Sequence, residues 1–202
     1  MLVFVFLILL MACVAVAITV ENWQHGLLAL AAQYGLGAAL LTQDAPAEVV
    51  LSFLVGGAIA CAILFLTLRQ MQDLLKSKRS DTDLEPRSSL ADMSYRLAAI
   101  VLAGTATYGL SQSYPLPETS VGVTFAIYWL AAAGLFSLST SQDTLRSGLG
   151  LLLIDSATLL LLGATGLGAL HTVFLLGIVV NTLVSVSTAY LLTVRSVGSD
   201  LD

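Results

Sequence analysis

Between Val121 and Val194 the chain passes through three apolar stretches, each about twenty residues long, and comparable stretches precede them. At about 1.5 Å of rise per residue, twenty helical residues cross the roughly 30 Å hydrocarbon core of a bilayer. Inside that core the backbone must satisfy its own hydrogen bonds, so apolar stretches of this length fold as transmembrane helices. Composition excludes the soluble alternatives, because 57% of residues are hydrophobic and only 10% are charged, with a mean hydropathy of +0.93. The formal net charge of −5 sits mostly in loops and tails. No basic patch interleaved with aromatics points to nucleic acid.

Seven spans can be drawn from length and polar breaks: Leu2 to Thr19, Trp23 to Leu41, Glu48 to Met71, Arg96 to Leu110, Val121 to Ser139, Leu145 to Gly163 and Thr172 to Val194. The fourth, rich in Ala, Gly and Thr, is the least apolar, and a six-span division competes with seven. Basic residues test the two divisions, since cytoplasmic loops are enriched in Lys and Arg. With the N-terminus outside and seven spans, Arg69, Lys76, Lys78, Arg79, Arg87, Arg96, Arg146 and Arg195 all fall on the cytoplasmic side, whereas the opposite loops carry none. Six spans would break this pattern. The expected location is therefore the cell inner (cytoplasmic) membrane, multi-pass, with the C-terminus cytoplasmic.

The expected fold class is an all-α membrane protein of about seven transmembrane helices, divided into a first three-helix unit over 1–71, a cytoplasmic mixed-charge loop over 72–95, a linking helix with its outer loop over 96–120, a second three-helix unit over 121–195 and an acidic tail over 196–202. The loop reads as a solvated connector, with a docking site for a cytoplasmic partner as the alternative. Met1 to Ala17 lacks the positive flank of a signal peptide and reads as a retained helix. Leu10-Met11-Ala12-Cys13 loosely resembles a lipoprotein cleavage box. Cys13 and Cys61 lie in apolar segments without metal-site spacing, where they pack as small hydrophobes.

The two three-helix units share a pattern. Leu64-Phe65-Leu66-Thr67-Leu68-Arg69 ends the third span and Tyr190-Leu191-Leu192-Thr193-Val194-Arg195 the seventh. Gly26-Leu27 and Gly148-Leu149 align the second span with the sixth, and this register makes Gln33 the counterpart of Asp155. Matched spans lie four apart, so the units have the same orientation and form a parallel repeat joined by one helix.

Asp155 carries the sharpest functional question. It lies roughly 15 Å along a helix that begins near Leu145, half of the hydrocarbon thickness. A central Asp costs about 2.5–3.5 kcal/mol to insert, so it faces protein or water and needs a partner. Asn181 is expected at the same depth on the seventh span, and Thr158 follows one turn after Asp155 on the same helix face. These residues and Gln33 form a candidate ion pathway. The competing reading makes Asp155 a protonated structural carboxyl, and Gln33 and Asn181 interhelical hydrogen-bond glue. Glu21 and His25, four apart, mark a candidate point of proton uptake, with interfacial solvation as the bland alternative. His171 reads as a helix-end residue. Trp23, Tyr95 and Tyr114 fit an interfacial belt, and Tyr128 and Trp129 read as packing. There is no nucleophile with its base, no His/Cys ligand cluster and no phosphate loop. Gly148-Leu149-Gly150 runs into apolar helix and reads as close packing. No cofactor is implied, and an independent enzyme is not expected.

The stretch Leu145-Arg146-Ser147-Gly148-Leu149-Gly150-Leu151-Leu152-Leu153-Ile154-Asp155 resembles the second helix of the small three-helix K subunit of complex I and of the C subunit of Mrp-type cation antiporters. There an arginine-containing turn leads into Leu-Ile-Gly-Leu-Glu, whose mid-membrane glutamate belongs to a hydrophilic axis of proton translocation. Asp155 stands at that glutamate's place. A second glutamate on the family's third helix is matched here by Asn181, which does not titrate. The Trp23–Leu41 and Glu48–Met71 pair looks like the same helices with both acids gone. A chain with one such unit near each end is similar to component E of hydrogenase-4-type complexes. The resemblance implies a membrane subunit of a redox-driven proton- or cation-translocating complex, with antiporter-like and other membrane subunits as partners in the lipid bilayer. A non-conducting structural subunit and a free-standing small secondary transporter are the rival readings.

Overall fold

The computed structural model describes residues 2–19, 23–42, 45–78, 90–117, 119–141, 143–166 and 171–198. Among these residues the chain forms seven α-helices: α1 Leu2–Thr19, α2 Trp23–Leu41, α3 Ala47–Lys78, α4 Leu90–Ser113, α5 Val121–Thr140, α6 Thr144–Ala164 and α7 His171–Gly198. Four contain stretches long and apolar enough to cross a membrane: Ala47–Gln70, Val121–Thr140, Thr144–Ala164 and Leu175–Val194. A shorter apolar stretch, Val5–Thr19, lies in α1. Gln24, His25 and Gln33 make α2 more polar, as Asp92 and Arg96 do α4. The protein is an all-α protein with the apolar helices of a membrane-embedded chain.

Several helices run further than their apolar stretches. α3 continues past Met71 to Lys78, and α4 begins at Leu90 and ends at Ser113, so the ends of the expected 72–95 loop are helical. Strong helix formers such as Leu74, Leu75 and Lys76 sustain the extension. At 32 residues, α3 is about 48 Å long, well beyond the hydrocarbon thickness. α7 likewise continues through the first three residues of the expected tail. The rest of that loop, 79–89, and the tail beyond Gly198 lie outside the described residues. Gly166, with φ +68°, turns the chain away at the end of α6, and Ser120 caps α5 by accepting from the Val123 amide.

The helices pack as two rows. In the first row α2 touches α1 and α3, and in the second α6 touches α5 and α7; across the rows α1 meets α5, α2 meets α6 and α3 meets α7. α4 lies outside the rows, against α5 and α1. The core between the rows is built of Leu30, Leu40, Phe53, Leu64, Leu130, Leu152, Leu153 and Leu160, all essentially inaccessible. α6 is a central element, with 61% of its span buried, whereas only 28% of the α7 span is.

Small residues set the approach of neighbouring helices. A Cβ on Gly134 would lie 2.7 Å from the Gly150 carbonyl oxygen, so α5 and α6 meet backbone to backbone. The glycines also reveal the register. Positions 26 and 37 of α2 lie against Leu149 and Leu160 of α6, a constant offset of 123 (149 − 26 and 160 − 37), so the two helices run parallel. The sequence pattern pairs Gln33 with Asp155; the packing moves this by one residue and sets Gln33 level with Ser156. Between α6 and α7, Gly148 lies against Thr188 and Gly177 against Leu159. These pairs have the same sum, 336, so the helices are antiparallel and Asp155 is level with Asn181.

Candidate functional site

The polar side chains at mid-depth divide into three environments around α6. The first is a seam where α2, α3, α6 and α7 meet. Tyr34 and Asn181 are fully buried there: the phenol donates to Asn181 Oδ1 at 3.1 Å, and Asn181 Nδ2 donates to the phenol oxygen at 3.0 Å. Gly57 gives the Tyr34 ring its place, since any side chain at 57 would overlap the ring, and Gly56 leaves room for the Asn181 amide at 3.5 Å. The Phe53 ring packs on Tyr34 with centroids 5.3 Å apart. Ser156 donates to the Leu152 carbonyl and Ser185 to the Asn181 carbonyl, so these hydroxyls are satisfied within their own helices.

The second environment is the interface between rows. Gln33 lies on the stripe of α2 that carries Gly26, Leu30 and Gly37 and faces α6. It is 0% exposed, and neither its Nε2 nor its Oε1 has a hydrogen-bond partner among the described residues. Burying an amide in this way costs about 1–3 kcal/mol.

The third environment is the α7-facing edge of α6. Leu149 and Leu160 point toward α2, and Asp155, roughly 130° around the helix from them, points toward α7, beside the positions of Gly148 and Leu159 that contact α7. It is half-buried, with Oδ2 inaccessible and without a partner among the described residues. Thr158, one turn on, is exposed and returns its hydroxyl to the Ile154 carbonyl at 3.0 Å.

Of the residues singled out by sequence, Asp155 and Asn181 therefore share a level at one seam. Gln33 shares that level but faces α6 from α2, whereas Asp155 points toward α7, and Thr158 stands outside the seam. His25 is exposed in the first turn of α2, and Glu21 lies outside the described residues. Tyr34 was not a sequence candidate, although it is the residue that closes the seam. Its signal was the match between one aromatic in the middle of a span and the Gly56-Gly57 pair on the next. Trp129 is packed in the core as expected, and its Nε1 has no partner among the described residues.

Two apolar grooves flank these environments. One of about 980 Å³ runs between α1, α4 and α5 past Met11, Gly104, Phe125 and Trp129. Another of about 470 Å³ lies between α2 and α3 at Trp23, Cys61 and Phe65. Neither contains a charged residue. Among the described residues no three His, Cys, Asp or Glu side chains gather to hold a metal. The Asp155 carboxyl can bind and release a proton, and the Tyr34–Asn181 hydrogen bonds tie α2 to α7. No family model, curated protein or solved structure matches the chain.

Proposed function

We propose that the chain is an integral membrane subunit of a complex-I-related, redox-driven assembly that translocates protons or cations, of the hydrogenase-like or Mrp-antiporter-like kind. Asp155 contributes the mid-membrane carboxylate of the ion pathway. The observation that carries this reading is Asp155 itself: a single acid at the middle of an apolar helix, level with Asn181 and Tyr34, with one oxygen enclosed and the residue only half covered. An acid placed there is costly to insert, which favours a functional role for it. Seven membrane crossings, the two three-helix units as a parallel repeat, the cytoplasmic C-terminus and antiporter-like neighbours belong to the same proposal.

The seam supports a second reading. Tyr34 and Asn181 satisfy one another directly, as expected of interhelical glue in a structural subunit that conducts nothing. Two measurements separate the readings. Purification of the tagged chain in mild detergent, with mass spectrometry of what stays bound, is expected to bring along antiporter-like and redox subunits; a folded chain that emerges alone defeats both readings. In the reconstituted complex, Asp155→Asn is expected to abolish ion pumping while the redox reaction persists. Full pumping by that variant selects the structural role.

A further inference from the structure

The exposed stripe of α6 is more polar than the exposed face of α7 at the same depth. Thr144, Ser147, Leu151, Asp155, Thr158 and Leu162 follow one another at steps of three and four residues and all retain exposure, with Leu151 at 44%. Steps of this kind make the straight seam with which one helix meets another. Four of the six are polar. By contrast, the exposed face of α7 presents Leu175, Leu176, Val179, Val180, Leu183 and Val186 at comparable depth, which is what lipid requires. Asp155 keeps part of its surface open, and its enclosed Oδ2 has no hydrogen-bond partner among the described residues, so a charge there lacks a partner within them.

We infer that this stripe is the docking face for a transmembrane helix of a different subunit, and that the docked helix brings a basic side chain to mid-depth against Asp155. Charge complementarity selects this occupant. The eight Lys and Arg residues of this chain lie in loops and toward helix ends, the nearest in sequence to Asp155 being Arg146 in the first turn of α6, so a second copy has no cation to offer at that depth. Leu151, one turn before the carboxyl, and Leu162, two turns after it, supply apolar flanks along the stripe, suited to a seam that is dry except at the ion pair. Thr158 offers a hydroxyl one turn away. The inference rests on the functional reading only in placing the chain within a larger membrane assembly; it does not require that an ion pass through Asp155.

The test is site-specific photo-cross-linking in the intact membrane, with a benzophenone side chain at Leu151 or Thr158 and a control at Leu183 on α7. The expected result is a cross-link from the α6 positions, absent from the control, to a transmembrane peptide of another protein with Lys, Arg or His near its centre. Asp155→Asn is then expected to cut the cross-link yield by about tenfold or more, and neutralising the partner's basic residue to do the same. Four outcomes overturn the inference: a cross-link to a second copy of this chain, a partner helix without a central basic residue, a yield indifferent to Asp155→Asn, or incorporation of the probe with no protein cross-link. Thr158→Leu, which leaves the carboxyl in place, keeps the test interpretable if Asp155→Asn alters the amount of folded chain. A cross-link that falls with Asp155→Asn while that variant pumps unimpaired would refute the ion-pathway reading and leave the docking face standing.

Discussion

Gln33 and Asp155 lie within one residue of the same level, on neighbouring parallel helices, yet their environments are opposite. Gln33 is neutral, wholly enclosed between the rows and without a partner among the described residues. Asp155 is ionisable, points toward the α7 edge of α6 and keeps part of its surface open. The difference teaches where such a bundle tolerates charge. A neutral amide can be sealed in for the loss of its hydrogen bonds, about 1–3 kcal/mol, whereas an unpaired charge sealed in the same way costs several kcal/mol. The acid is found where compensation can arrive from outside the chain.

The largest expected effect comes from erasing this contrast. Gln33→Glu places an ionisable group in the closed interface and is expected to destabilise the bundle by about 3–5 kcal/mol when the new side chain is charged, measured as a loss of thermal stability in mild detergent. Since a buried carboxyl can instead stay protonated, the comparison is made at high pH; an unchanged melting temperature there would show that the interface admits water or a counter-ion, and the contrast with Asp155 would collapse. Next is Gly57→Val, which fills the place of the Tyr34 ring. It is expected to cost about 1–3 kcal/mol through overpacking and to make the Tyr34 ring more mobile, a change that aromatic NMR relaxation detects. Tyr34→Phe is gentler. It removes the phenol from Asn181 and is expected to cost about 1 kcal/mol, since interhelical hydrogen bonds in membranes average near 0.6 kcal/mol and reach about 1.7 kcal/mol. Adding Asn181→Leu is expected to recover part of this loss in a double-mutant cycle, and strict additivity would deny the coupling.

The smallest expected effect sharpens the comparison from its other side. Asp155→Leu is expected to leave the stability of the isolated chain unchanged or to raise it by up to about 1 kcal/mol, because exchanging a poorly compensated carboxyl for an apolar side chain is often neutral or stabilising. Denaturant titration of the purified chain checks this. A large loss would mean that Asp155 already has its partner within the chain, as Asn181 does.

The helices were legible because their signal is length and hydropathy. All seven segments drawn from sequence coincide with helices, and the cores of α1, α2, α5 and α6 end within a residue or two of the polar breaks. The ends of α3, α4 and α7 were not legible, because a helix continues beyond its apolar part for as long as its residues favour it and nothing caps it. Within the site, the common depth of Asp155 and Asn181 follows from counting along two antiparallel helices. Which way each side chain points does not, since apolar residues surround α6 and give its sequence little amphipathic bias. Gln33 and Asp155 consequently shared a level in the sequence pattern, but only the packing showed that one faces the interface between rows and the other α7. Tyr34 escaped for a related reason: its partner Asn181 is distant in the chain, and its recess is an absence of side chains at Gly56 and Gly57.

The way α1, α2 and α3 meet α5, α6 and α7, each helix beside the one four places on, bears on how the molecule grows. A rotation that exchanged two rows would bury the same surface of both and leave the pair self-contained. A shift from one row to the next instead joins the front of one to the back of the other, and such heterologous contacts do not close. The back of the second row, with Asp155 on it, is the side on which a further row would continue the series. In the proposed assembly the chain is then a segment of an array, continued on that side by the subunit that docks there.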